Sequence, residues 1–318
     1  MDKQVSVIIP VKNGQEVIEN CLIGIFSQSM MPYEVIVVDG NSIDNTTSIA
    51  KKYPVKLLTE FYGTVGGARH IGLINSQGTY VAFTDADCIP EKTWLENLLK
   101  GFSAGIVGVG GGTQNIGNGL WEKSIAYALD TYLGSANSVQ DRVFKKKKTV
   151  NSISGCNSMY FKKILIKLGG FNVHMSVNED TELCTRLKRL GDLVYVPDAI
   201  VFHNQKRNLF SFIKRMHLFG YGRGVNKLWD VQVFPPILAF IVFLLYFISP
   251  NLFLSFISIY LTIIIYFTIN IFLKAQDLRF LISVPLIFII EHISYTMGFF
   301  QGVSKSLFLI PVLKILKR

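Results

Sequence analysis

Tyr80-Val81-Ala82-Phe83-Thr84-Asp85-Ala86-Asp87 is a short apolar run that ends in two carboxylates one residue apart. Its pattern predicts a buried strand. In an open α/β sheet, ligands bind beyond the carboxyl ends of the strands, so two acids at such an end would face a ligand. Asp85 and Asp87 share a strand parity, and the turn at Cys88-Ile89-Pro90 lets both aim at one point. Hard oxygen donors of this kind suit Mg²⁺ or Mn²⁺, with substrate phosphates completing the shell. An Asp-x-Asp alone also fits a polar turn, so the surrounding chain has to decide between the two.

Upstream, Val5-Ser6-Val7-Ile8-Ile9 is a β-rich run closed by Pro10, the pattern of a strand buried on both faces. The Asn13-Gly14 turn leads to Val17, Ile18, Cys21, Leu22, Ile25 and Phe26 at helical spacing over residues 15–28. Glu34 to Asp39 is a second buried strand ending in an acid. A helix is expected from about Ile43, capped by Ser42 or Asp44. A third strand covers Val55 to Leu58, after which Gly63, Gly66 and Gly67 open a helix that carries Arg69 and His70. Strand and helix alternate throughout, which predicts an α/β fold with a mostly parallel sheet covered on both faces.

SVIIPVKNG, EVIVVDGNSIDNT and GGARHIGLINSQGTYVAFTDADC together resemble the nucleotide-sugar domain of family 2 glycosyltransferases, which have the GT-A fold. The likeness spans roughly residues 4–225 and rests on the order and spacing of three separate motifs. It implies that Pro10 and Val11 line the nucleotide pocket and that Asp39 bonds the base. Arg69 would lie against the base or the diphosphate, and Asp85 and Asp87 would handle ribose, metal and diphosphate. Gly40 stands where many members carry a second Asp. A polar turn or cap is the alternative role for Asp39, and a solvated helix face the alternative for Arg69.

Farther along, Ala104 to Gly112 reads as a strand whose glycine-rich end would close under the donor sugar. Residues 119–135 read as an amphipathic helix, and 134–150 as a polar, lysine-rich loop. Gly155, just before a strand that ends near Phe161, would let backbone approach a ligand. After the Gly169-Gly170 turn, Asn178-Glu179-Asp180 opens a helix. Acids there are often partners of the helix dipole; the family resemblance makes Asp180 the catalytic base, with Glu179 as support or alternate. Two short strands, 193–196 and 199–202, end at His203, which in some relatives joins the metal or the diphosphate. A QxxRW motif, the mark of processive synthases, has no match here beyond Arg215 between Phe212 and Met216.

Half of the residues are hydrophobic and mean hydropathy is +0.36, too apolar for an ordinary soluble chain. The excess lies beyond residue 231, while almost all the acids lie before it. Pro235 to Ser249, long enough if it begins near Val231, Leu252 to Leu273 and Phe280 to Phe300 are candidate membrane spans. The third carries Glu291 and His292, and intramembrane ionisable groups point to function or to burial within protein. It could also re-enter the bilayer. Gly298 and Gly302 form a close-packing face for another helix, such as a membrane partner's. Segment 208–230, rich in aromatic and basic residues, has the composition of an interfacial helix.

The net charge of +10 includes Lys145–Lys148 and Lys206, Arg207, Lys214, Arg215, Arg223 and Lys227. Basic residues beside membrane spans fit the cytosolic side, and with no nucleic-acid motif beside the charge no nucleic acid is expected. Four cysteines without CxxC spacing indicate neither a zinc site nor a disulfide scaffold. Met1-Asp2-Lys3-Gln4 offers no signal peptide.

These features predict a glycosyltransferase domain over 1–207, an interfacial linker over 208–230 and a membrane region of two to three spans over 231–318. The expected enzyme inverts, needs Mg²⁺ or Mn²⁺ and lies in the cell membrane as a multi-pass protein with its catalytic domain in the cytosol. It would take a nucleotide-diphospho-sugar donor and a polyprenyl-linked or glycan acceptor. His292, Tyr295 and Gly298 resemble a pattern in the tail of ExoA-type exopolysaccharide enzymes. A non-catalytic nucleotide-sugar-binding scaffold of a polysaccharide assembly complex is the alternative, disfavoured by the two intact acidic motifs.

Overall fold

The computed structural model describes residues 4–135, 138–139, 142–203 and 208–315, the last eight by backbone alone. Lys206 and Arg207 of the basic residues, and Met1 to Lys3, lie outside the described residues. Packing divides the chain into two compact units: Met1–Ile116 with Ser138–Gln205, and Gly117–Asn137 with Lys206–Arg318. The sequence reading placed 119–135 with the first domain, whereas packing groups it with the C-terminal helices.

The first unit is built on one mixed sheet of nine strands among the described residues. In chain order these are β1 (Val5–Val11), β2 (Glu34–Asp39), β3 (Lys56–Thr59), β4 (Tyr80–Phe83), β5 (Cys88–Pro90), β6 (Ile106–Asn115), β7 (Lys148–Val150), β8 (Ser158–Phe161) and β9 (Asp192–His203). The spatial order is β3-β2-β1-β4-β8-β6-β9-β5, with β7 also paired to β9. The β3, β2, β1 and β4 strands are mutually parallel, β8 is antiparallel to β4 and β6, and β6 and β9 run parallel.

Strict alternation explains why the first strands are apolar at almost every position. Val5, Val7 and Ile9 of β1, Val35 and Val37 of β2, and Tyr80 and Ala82 of β4 enter one core layer. There they meet Ile18, Cys21, Leu22 and Ile25 of helix α1 (Ile18–Phe26). Ile8, Ile36, Val38, Val81 and Phe83 point the other way, into a second layer. Burying each such aliphatic side chain stabilises the fold by about 1.5–3 kcal/mol against leaving it exposed. One polar residue breaks the run, and it is satisfied: the Ser6 hydroxyl donates to Glu34 (2.7 Å) and accepts from the Gly78 N–H (2.9 Å).

Helix α2 is shorter than expected, Thr46–Ala50, and Ile43 is exposed outside it. The two proposed caps do different work. Ser42 accepts from the Asn13 N–H (2.7 Å), and Asp44 accepts from the Gln15 N–H (3.1 Å) and the Thr46 N–H (3.0 Å). The Thr46 hydroxyl in turn accepts from Gly14 (2.8 Å). The loops after β1 and β2 are thereby stitched together at the carboxyl ends of their strands.

Helix α3 (Val65–Asn75) is capped by Thr64, whose hydroxyl accepts from the Gly67 N–H (2.9 Å) and donates to the Val173 carbonyl (2.6 Å). Helix α4 (Trp94–Lys100) adds Trp94, Leu95 and Leu98 to the first layer. The glycines of β6 are packed closely against protein. A Cβ on Gly111 would lie 1.7 Å from the Ala199 carbonyl, at a register shift between β6 and β9. The two strands read around 193–202 are one continuous β9 through that irregularity.

In the second unit, helix α5 (Leu120–Leu129) and the short α6 (Tyr132–Ser135) join the long helices α9 (Leu209–Asn226), α10 (Phe234–Ile248), α11 (Pro250–Ala275) and α12 (Phe280–Ile315). Helices α7 (Lys162–Lys167) and α8 (Glu179–Leu187) belong to the first unit. Among the described residues three helical segments are long and apolar enough to cross a membrane: Val231–Ile248, Pro250–Ala275 and Phe280–Leu307. The third is one uninterrupted helix, with no re-entrant break.

Glu291 is buried and His292 half-buried. The His292 ring pairs with the Tyr260 hydroxyl (2.9 Å) and the Leu133 carbonyl (3.2 Å). The Gly298/Gly302 face has its partner within the chain. A Cβ on Gly298 or Gly302 would lie 2.0 or 2.3 Å from the carbonyls of His217 or Tyr221 on α9. Reciprocally, one on Gly220 or Gly224 would lie 2.0 or 2.3 Å from those of Tyr295 or Phe299. Two glycine pairs thus let α9 and α12 touch backbone to backbone. Gly220→Ala is expected to cost about 1–3 kcal/mol, an overpacking penalty, read as a lower Tm of the detergent-solubilised chain.

Candidate active site

The parallel register sets Pro10 beside Val38 and Val11 beside Asp39. Pro10, Val11 and Asp39 therefore share the carboxyl edge of the sheet, where the resemblance puts the nucleotide. Asp39 is buried, and its Oδ2 accepts from the Ser42 N–H (3.0 Å). Its Oδ1 is buried with no hydrogen-bond partner among the described residues. Such an atom normally costs free energy, and it leaves an acceptor for an incoming donor group. Gly40 is close-packed: a Cβ there would come 3.2 Å from Lys12.

Arg69, on α3, is 3% exposed, so it is no solvated face. Its Nη2 donates to Asp85 (2.7 Å) and its Nη1 to Glu179. Burial pulls the guanidinium down, but the charges of Asp85 and Asp180 more than offset this and it remains a cation. Glu179 and Asp180 enter through Asn178, a buried residue in the left-handed region (φ +60°). Asn tolerates that conformation better than most residues. Asp180 is half-buried and held by two backbone N–H groups, Gly155 to Oδ2 (2.9 Å) and Thr181 to Oδ1 (2.7 Å).

Asp85 and Asp87 bond different partners. After β4 the chain turns, with the Cys88 N–H donating to the Asp85 carbonyl (3.0 Å), and β5 then pairs with the end of β9, Cys88 opposite His203. This pairing delivers Asp87 to His203, with Nε2 and Oδ2 3.1 Å apart, while Asp85 stays with Arg69. Asp87, Cys88 and His203 each place a possible metal donor within 4.8 Å of the others, and Asp85 is not among them. Burial first, then the Cys156 thiol and the charges of Asp87 and Asp85, raise the Cys88 thiol. A neutral, soft sulfur suits a hard cation poorly, whereas a carboxylate suits Mg²⁺ or Mn²⁺ and imidazole is a borderline nitrogen donor. Within this donor set Asp87 is the hard ligand that a divalent ion such as Mg²⁺ or Mn²⁺ would need, with the His203 imidazole beside it. All four cysteines are free and buried.

The glycosyl transferase family 2 sequence model matches residues 6–169, just over half of the chain. The chain belongs to glycosyl transferase family 2. Its GT-A fold agrees with a solved mannosyltransferase from Pyrobaculum calidifontis, crystallised with GDP-Man and Mn²⁺. That structure aligns at TM-score 0.56 and 19% identity over 92% of this chain and 86% of its own. Glycosyltransferase AglE of Haloferax volcanii is 29% identical over 71% of this chain and 74% of its own length. A dolichyl N-acetyl-α-D-glucosaminyl phosphate 3-β-D-2,3-diacetamido-2,3-dideoxy-β-D-glucuronosyltransferase of Methanococcus voltae is 24% identical over 95% and 98%. This family 2 glycosyltransferase therefore has its nucleotide-sugar fold and its apolar helices in one chain.

Two features of this glycosyltransferase's site escape sequence reasoning. The sequence makes Gly155 room for a ligand, but the group that fills the room is the Arg69 guanidinium: a Cβ there would lie 2.6 Å from Cζ. Asn157, fully buried, ties Trp94 (2.8 Å) to the carbonyls of Gly112 (2.8 Å) and Ala199 (2.9 Å). The only signal for either was a polar, glycine-containing run, Ser154–Ser158, ahead of an apolar strand.

Proposed function

We propose that this enzyme transfers a sugar from a nucleotide-diphospho-sugar to the hydroxyl of a polyprenyl-linked or other glycan acceptor, with inversion, at the cytosolic face of the cell membrane. The observation that carries the reading is Asp180, a half-buried carboxylate oriented by two N–H donors beside the Arg69–Asp85 pair. Asp39, with its unpartnered Oδ1, would take the base, in a pocket lined by Pro10 and Val11. Asp87 and His203 would hold Mg²⁺ or Mn²⁺. When bound, such an ion neutralises charge on the leaving diphosphate.

In the reaction, Asp180 accepts the proton of the acceptor hydroxyl as its oxygen bonds to the anomeric carbon. The bond to the diphosphate breaks on the opposite face, and the configuration inverts. The polyprenyl class is favoured by the Methanococcus voltae relative, whose similarity extends over 95% of this chain, and by the three apolar helices. Their flanking Lys and Arg support a cytosolic catalytic unit.

The test is transfer from a panel of labelled nucleotide sugars to extracted lipids by the purified chain in membranes. Product is expected. A chain that binds nucleotide but transfers nothing across a broad acceptor panel would favour the scaffold. Placement is tested separately. The chain should resist carbonate extraction, and in sealed cytosol-side-out vesicles protease should digest the N-terminal unit. Shielding of that unit would overturn the orientation.

A further inference from the structure

We propose that Arg69 is a positioning residue rather than a donor contact, and that Gly155 is its socket. The assignment rests on the reading of Asp180 as the base. The resemblance would put an arginine at this place against the base or the diphosphate. Here the side chain is 3% exposed and spends one Nη on Asp85 and the other on Glu179, residues 16 and 110 positions away. A planar guanidinium can serve two carboxylates at once, which a single ammonium does poorly. Arg69 therefore fastens the loop after β4, which carries Asp85 and Asp87, to the first turn of α8, which carries Asp180.

Gly155 closes the ring. Its N–H donates to Asp180 Oδ2 (2.9 Å), and the space its side chain would fill is taken by Arg69, with Cζ and Nη1 2.6 Å and Nη2 2.7 Å from an added Cβ. One backbone position thus sets both the carboxylate of the base and the cation that anchors its helix. It follows that Glu179, buried and paired with Arg69, is a strut and not an alternate base.

The experiment uses the full chain in lipid nanodiscs, comparing wild type with Arg69→Lys, Gly155→Ala and Asp180→Asn. Turnover is measured with the labelled donor panel, and binding by calorimetry with UDP and GDP, each with Mn²⁺. Displacing a positioned group by about 1 Å costs on the order of 10²-fold in rate. Arg69→Lys and Gly155→Ala are therefore expected to lose that much turnover while nucleoside diphosphate affinity stays within roughly threefold, the split expected of positioning.

Affinity that falls by the same factor as turnover would make Arg69 a donor contact and overturn the proposal, as would full activity in Arg69→Lys. Hydrogen exchange adds a readout that needs no activity. The amides of Gly155 and Thr181 should exchange faster in Arg69→Lys at unchanged Tm, and unchanged exchange counts against the ring. Full turnover in Asp180→Asn would sink the base reading alone.

Discussion

Asp180→Asn is expected to slow transfer by roughly 10²–10⁴-fold, the usual contribution of a general base, while nucleotide affinity hardly changes. The substitution keeps the shape of the side chain and one carbonyl oxygen, so most of the hold from the Gly155 and Thr181 N–H groups survives. What it removes is the basicity that takes the acceptor's proton. Calorimetry with nucleoside diphosphate and product release on the same preparation separate the two effects. Unchanged turnover would mean that the acceptor arrives already ionised, as a lipid phosphate would, or that another group takes the proton.

Asp87→Ala should abolish transfer with the fold intact. Asp87 pairs with His203 at the meeting of β5 and β9, on the surface side of the Cys88 thiol. Its loss removes the one carboxylate in the group of three donors. EDTA is expected to reproduce the defect in wild type, and Mn²⁺ or Mg²⁺ to reverse it. Full turnover in EDTA-treated, metal-free buffer would eliminate the ion from the reaction. Circular dichroism guards against misfolding, since each strand of this corner keeps its backbone pairing without the Asp87 side chain.

The fold was legible where local pattern and burial agree. Val5–Val11 and Glu34–Asp39 are apolar on both faces because helices cover both. The spans were legible for the same reason, through uninterrupted apolar length. What the sequence concealed depends on distant partners. Asp44 and Ser42 look like helix caps, yet they bind a loop some thirty residues earlier. Glu179 looks like half of a catalytic pair, and only the approach of Arg69 from α3 shows that it is already engaged. Asp85 and Asp87 look equivalent by parity, and a three-residue strand sends them to different neighbours. The Gly298/Gly302 face was visible as a close-packing surface, but its occupant could be named only by seeing Gly220 and Gly224.

The insertion of Gly117–Asn137 into the other unit has a consequence for how the chain is made. Ile125, Ala128 and Leu129 of α5 pack in one cluster with Val284, Ile287 and Phe288 of α12, and Ser124 bonds Ser283, 159 residues later. At ribosomal speeds of about 5–20 residues per second, α5 waits roughly 10–30 s for its cover. During that interval the face of α5 that carries Ile125, Ala128 and Leu129 lacks its α12 partners. A chain cut after β9 to obtain a soluble enzyme would leave it bare for good. Soluble forms of this glycosyltransferase therefore call for replacing 117–137 with a polar loop, and not only for removing the C-terminal helices.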